Sequence, residues 1–164
     1  MALPNKVLPG FSAALYAQPT STPTPLTTAQ LSLVASVAPI AVSGNLIPVE
    51  AIPAFGQDDA VASFGVAGSR QSDKIPVQAA PTSMTITAAW NPADTNLLLM
   101  RGDAYSGVVD RTFVVSATEG SNIVYYAFNG RVGQFQIDSQ PGAEAKCTFT
   151  IHPRGNQYGW SNNA

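Results

Sequence analysis

The run that most constrains this chain lies in its second half, residues 82–154. MTITAAW places β-favouring residues in alternation and reads as a strand. Asn91 is then the expected N-cap of a short helix, with Pro92 at the first helical position, where its missing N–H costs nothing. Asp94 adds a carboxylate to the first turn, at the positive end of the helix dipole. Gly102 or Gly107 supplies the stop. Beyond it, RTFVVSAT, NIVYYAFNG and RVGQFQID read as strands, DSQPG as a turn and AEAKCTFTIHP as a last strand. Nothing in the run looks like a reaction centre. It points to a mainly β fold, an antiparallel β-sandwich or barrel with one short α-helix and a long hairpin loop.

Composition sharpens this. The 164 residues suit one domain, 1–164, with 45% hydrophobic but only 11% charged residues, against a usual charged share of about 25%. Sheet edges with few charges lack the common defence against pairing with another chain, so association is expected; a neutral extracellular β-domain fits the same composition. The net charge is −2, and the eight basic residues are scattered along the chain. Gripping nucleic acid needs clustered Lys and Arg to displace counterions from phosphates, and no such run exists.

The candidates for chemistry are few. Cys147 is the single cysteine and His152 the single histidine. Lying five residues apart on one strand, their side chains point to opposite faces, so that pair cannot form a nucleophile and its base. A buried thiol is the expectation for Cys147, and neither a metal site nor another cofactor is implied. The chain is read as not an enzyme. The opening MALPNKVLPGFSAALYAQPT is broken by Pro4, Pro9 and Gly10, unlike the continuous core of a signal peptide. No apolar run approaches the roughly 20 residues that span a bilayer. A protein made in a cytoplasm, with no membrane partner, is expected.

In the first half, FSAALYA suits a first strand and QPTSTPTPLTT an extended connector. LSLVASV alternates at period two and is read as a strand, although Thr27 and Gln30 could instead cap a helix. NLIPVEAIPAF carries two prolines and suits an edge strand. Residues 56–74, GQDDAVASFGVAGSRQSDK, exceed the roughly 12–15 residues at which structureless loops become uncommon. Such a loop either docks on a copy of itself, with Phe64 as anchor and its charges setting register, or is a solvated hairpin arm of no special role.

The order of these elements resembles the tail tube proteins of long-tailed, non-contractile bacteriophages, especially the lambda-like ones. PNKVLPGFSAALYA resembles that family's proline-rich opening, and the long loop falls where the family has its large β-hairpin loop. PTSMTITAAWNPAD resembles the strand running into a Trp-x-Pro element before the helix. YYAFNGRVGQFQID with AEAKCTFTIHPRG resembles the closing strand pair. The likeness covers nearly the whole chain. Some members continue into an immunoglobulin-like domain; this chain stops at GNQYGWSNNA, which predicts none.

The resemblance implies a six-fold ring whose subunits contribute strands to a continuous inner barrel. Rings stack into a hollow tube for DNA ejection, in a virion tail assembled in the host bacterial cytoplasm. Implied partners are further copies of the chain, a tape measure protein, a tail terminator and baseplate components, with genomic DNA passing unbound through the lumen. On this reading Asp58, Asp59, Phe64, Arg70 and Lys74, within the loop at 57–74, contact the next ring. Glu50 and Glu144 are candidate lumen acids. Trp90 packs in the core. Leu97, Leu98, Leu99 and Met100 exceed a single helix stripe, so one or two of them face a neighbour. The segment 155–164 is an arm on the adjacent subunit or a frayed end. Two alternatives stand: another ring-forming tail component, such as a terminator or baseplate tube initiator, and a monomeric β-sandwich surface-binding module. The tripeptide Arg101-Gly102-Asp103 is read as structural, at the end of the helix.

Overall fold

The computed structural model of the chain describes residues 12–65, 72–155 and 159–163. Its body is one curled antiparallel sheet. Strands β1 (Ser12–Ala17), β2 (Leu46–Ile47), β3 (Gln57–Gly65), β4 (Ser72–Pro81), β5 (Met84–Ala89), β6 (Arg111–Glu119), β7 (Asn122–Asp138), β8 (Lys146–Pro153) and β9 (Gly159–Asn163) follow in chain order. The spatial order is β2-β1-β6-β7-β8-β5, with β9 also on β7; β3 and β4 pair only with each other. The mainly β, antiparallel expectation holds.

The sheet curls because one short stretch bridges its two ends. Leu46 and Ile47 pair with β1. Two residues on, Val49 bridges to Ala88 of β5, with Glu50 N–H donating to the Thr87 carbonyl at 2.9 Å and Ala89 N–H to that of Pro48 at 3.2 Å. The proline-flanked segment expected at an edge thus touches both ends of the sheet, pairing with Leu15 and Tyr16 on one side and bridging to Ala88 on the other.

Alternation fills the interior. Met84, Ile86 and Ala88 on β5 and Cys147, Phe149 and Ile151 on β8 are fully buried and face Leu15, Phe113, Phe128 and the helix residues Leu97 and Met100. β6 is buried on both faces, since Val114, with Tyr125 and Ala127 of β7, joins a second cluster under Leu31, Val37 and Ile40. The consecutive Phe113-Val114-Val115 of RTFVVSAT suits a strand buried on both faces.

Four elements depart from the sequence reading. LSLVASV is not a strand: α1 (Thr28–Leu31) and α2 (Val34–Val37) are single-turn helices. The capping box prevails, with the Gln30 side chain accepting from Thr27 N–H at 2.9 Å and the Thr27 hydroxyl accepting from Gln30 N–H. Leu31 and Val37 turn inward while Leu33, which strict alternation would bury with Leu31, is 52% exposed.

Helix α3 (Thr95–Ser106) starts later than expected. Its N-cap is Asp94, whose Oδ1 accepts from the N–H groups of Asn96 (2.9 Å) and Leu97 (3.1 Å). Asn91 instead accepts from Ala93 N–H, making the turn that leads in. Asp94 wins because an ionised oxygen in reach of two N–H groups is the stronger cap. Gly107, left-handed at φ 65°, ends the helix, and Gly102 lies within it. Arg101-Gly102-Asp103 is therefore mid-helix rather than terminal.

NIVYYAFNG and RVGQFQID form one 17-residue strand, β7. Asn129-Gly130 does not turn, because the Asn129 side chain is held by Thr112 (2.7 Å) and by the Leu26 carbonyl (2.7 Å). Gly130 fits where a Cβ would stand 3.0 Å from the Ile151 side chain. The register against β8 shifts between Gly133 and Gln136, with Gln134 at φ 54°. That bulge sends Phe135 inward to stack on Phe149 at 5.8 Å and meet Trp90 edge-on at 5.7 Å. Trp90 thus packs against the core, as expected.

The segment read as an arm or frayed end instead supplies β9, which extends the β8 side of β7 from Ala127↔Gly159 to Ile123↔Asn163. Gly159 is required there, because a Cβ would lie 2.4 Å from the Leu31 backbone.

Candidate assembly interface

The long segment is a hairpin, and its strands run further than the loop residues suggested. Asp58 pairs with Ala80 and Asp59 with Ala79 near the base; Phe64 pairs with Asp73, and Ser63 with Lys74, near the tip. Asp58 and Phe64 are six residues apart, about 20 Å along a strand, so the expected contact residues form two groups rather than one. Arg70 and the start of the proline-rich opening lie outside the described residues. Pro76 sits where the register shifts, between Ala60 and Val61, a place in a ladder that tolerates a residue without an N–H.

Glu50 and Glu144 converge on one lysine. Glu50 Oε1 is 2.5 Å from Lys146 Nζ, both side chains being 44% exposed. The hydrogen bond to Glu50, then its charge, and less strongly the charge of Glu144 raise the Lys146 ammonium above its ordinary pKa. Asp138 lies opposite Lys146 in the ladder. This end of the β7–β8 ribbon therefore carries three acidic residues and one lysine, with Glu50 in direct contact, Glu144 nearby and Asp138 across the ladder.

At the other end, Asp110 is shared by two arginines. Arg131 donates from Nε to Oδ1 at 2.6 Å and from Nη2 to Oδ2 at 3.3 Å. Arg154 donates from Nη1 to both oxygens, at 3.2 and 3.1 Å. The Arg131 hydrogen bond, outweighing the burial that opposes it, and then Arg154 hold the Asp110 carboxyl below its ordinary pKa. Nothing in the local sequence announces this cluster, because its members come from three separate segments.

A second arginine does structural work. Arg111 is fully buried, with its Nε 2.6 Å and Nη2 3.0 Å from the Asp103 carboxylate. Its Nη1 donates to the carbonyls of Gln18 and Thr20, tying the start of the connector to α3 and β6. The Asp103 of the RGD tripeptide is thus consumed inside the fold. Arg101 lies over the Tyr105 ring, 5.6 Å from its centroid.

Cys147 is fully buried, and burial pushes its thiol pKa up, which makes it unreactive. His152 is exposed on the opposite face of β8 and meets the Ser83 hydroxyl at 3.0 Å. That pairing spans 69 residues, which no local spacing rule could reveal. Among the described residues no group of His, Cys, Asp and Glu could hold a metal ion, and no helix is long and apolar enough to cross a membrane.

Within α3 the apolar run divides. Leu97 and Met100 are fully buried, whereas Leu98 is 41% exposed; Tyr105 and, just past the helix, Val108 are exposed as well.

No family model and no curated protein matches the chain. Solved structures do. A chain of the anti-feeding prophage baseplate, determined with six-fold symmetry, superposes with a TM-score of 0.62 at 11% identity, covering 98% of this chain and 97% of that one. A chain of the same particle's tube-terminating cap gives 0.61 at 12% identity, covering 100% and 95%. The tail tube of SPP1 gives 0.54 at 12% identity, covering 90% and 76%. At such identities the likeness is one of fold, and this chain has a phage tail-tube-like fold.

Proposed function

We propose that this chain is a structural component of a phage-type tail, forming rings that stack into a tube for DNA. The observation that carries the reading is the β3–β4 arm, which stands outside the body's sheet and pairs only with itself. A two-stranded hairpin is marginal in water without a further surface. A hairpin that pairs with no strand of the body's sheet is suited to be completed by a neighbour. The likeness to assembled tail structures over nearly the whole chain supports a copy of the same chain as that neighbour.

On this reading the arm residues Asp58, Asp59, Phe64, Arg70 and Lys74 contact the adjacent ring. The tape measure protein, terminator and baseplate are the other partners, and DNA passes without specific contacts, in keeping with the low net charge. Glu50 and Glu144 are exposed carboxylates compatible with a lumen or a ring face.

A second reading has specific support. The baseplate and cap chains superpose better, and are covered more fully, than the SPP1 tail tube. The chain then forms a ring that begins or ends a tube rather than the repeating one. Negative-stain microscopy of concentrated protein decides between them: tubes support the first reading, and single rings the second. A variant with the arm cut back between the paired positions Ala60 and Gln78 is expected to lose tubes. Wild-type protein that stays monomeric, even with other tail components supplied, would overturn both.

A further inference from the structure

The outer face of the β7–β8 ribbon carries opposite charge at its two ends. Cys147, Phe149 and Ile151 point inward, so Lys146, Thr148, Thr150 and His152 point outward. Across the ladder, Arg131 pairs with His152 and Asp138 with Lys146, which places both on that outward face. The bulge is what makes this so. Arg131 and Asp138 are seven residues apart, an odd number that would put them on opposite faces of a regular strand; one extra residue restores the parity.

One end holds Asp110 with Arg131 and Arg154, a net +1. The other holds Glu50 and Glu144 beside Lys146, with Asp138 opposite it in the ladder, a net −2. About 20–25 Å separates them. Between lie Gln136, Thr148 and His152, with Thr150 buried beside Gln134 and no acidic, lysine or arginine side chain. Asp110 already receives four contacts, whereas Arg154 donates to it from Nη1 alone and is 51% exposed. The basic end therefore keeps guanidinium capacity for another carboxylate.

We propose that these ends are the two halves of one head-to-tail contact between copies, the Arg131–Arg154 end of one subunit meeting the Glu50–Glu144 end of the next. The inference rests on the ring-and-tube reading in taking a second copy as partner. Two different patches on one chain make a heterologous contact, which propagates into rings or stacks. Complementary charge sets orientation and register, and rejects a copy that arrives reversed with like ends together. In a chain with so few charges, these seven side chains are a large part of the information available for register.

Charge reversal tests this with both failures distinguishable. Arg154→Glu turns the basic end to −1, and Glu50→Lys with Glu144→Lys turns the acidic end to +2. Each change alone sets like charges against each other; all three together restore opposite signs. Sedimentation at low salt is expected to show a critical concentration raised about tenfold by either reversal and returned to within about threefold of wild type by the combination. Raising salt to about 0.5 M should weaken wild-type assembly and narrow those gaps. The changed residues are exposed, and unaltered circular-dichroism melts confirm that each variant folds. Reversals that assemble like wild type, or a combination no better than its parts, overturn the contact while leaving the tube reading in place. A plateau at a discrete dimer overturns the head-to-tail geometry. Wild-type protein that is monomeric at every salt concentration overturns contact and tube reading together.

Discussion

The body and the arm are both antiparallel β, yet they are stabilised by different things. In the body, ladders are backed by two apolar clusters, an internal ion pair and a segment that bridges the sheet's ends. In the arm, β3 and β4 have each other. Backbone hydrogen bonds exchange protein partners for water at little net gain, and a two-stranded ladder by itself is marginal in water. On the proposed reading, the difference separates what this chain completes alone from what it leaves to a partner.

That comparison is most exposed at the buried pair. Asp103→Ala leaves the Arg111 guanidinium buried without its counter-charge and should cost about 3–5 kcal/mol in urea unfolding. A loss under about 1 kcal/mol would mean that the body does not depend on its interior contacts as described. Next comes Gly159→Ala, whose methyl collides with the Leu31 backbone. It should cost about 1–3 kcal/mol and speed amide exchange at Ile123 to Ala127, where β9 pairs with β7. Unchanged exchange would show β9 to be no part of the body. Thr27→Ala removes half of the capping box and should cost about 1 kcal/mol.

Smaller still is the acid response of Asp110. Its folded pKa is depressed, so its contribution is full above the ordinary carboxylate value of about 3.9 and is lost as pH falls through the folded one. Asp110→Asn should lose that small contribution at neutral pH and flatten the acid limb correspondingly, leaving the dependence on pH from neutral to alkaline unchanged. Identical acid limbs would remove Asp110 from that account. Smallest of all, cutting back the arm between Ala60 and Gln78 should leave the monomer's melting unchanged while abolishing tubes. A melt lowered by several degrees would show that the arm belongs to the body after all.

Much of the fold was legible because its signals are local. The alternation of MTITAAW gives β5, Gly107 supplies the left-handed stop, and FSAALYA gives β1. The two prolines of NLIPVEAIPAF marked a segment unfit for a sheet's middle, and it lies at the sheet's ends. Errors arose where two local signals competed. Thr27 with Gln30 outbid the period-two pattern of LSLVASV, and Asp94 outbid Asn91 for the helix start. Asn129-Gly130 carries a turn's composition, yet continues a strand because distant Thr112 and Leu26 hold the asparagine.

By itself, then, the sequence determined a β-rich chain with sparse charge, the helix before RTFVVSAT and a long segment at 56–74, since each follows from residue type and local spacing. Tertiary structure alone decided which strands became neighbours, that one segment spans both sheet edges, and that Asp110, Arg131 and Arg154 form a cluster. It also placed the bulge that turns Arg131 and Asp138 to one face. Such outcomes depend on contacts between residues far apart in the chain, whose loop-closure entropy is offset only when the whole core forms at once.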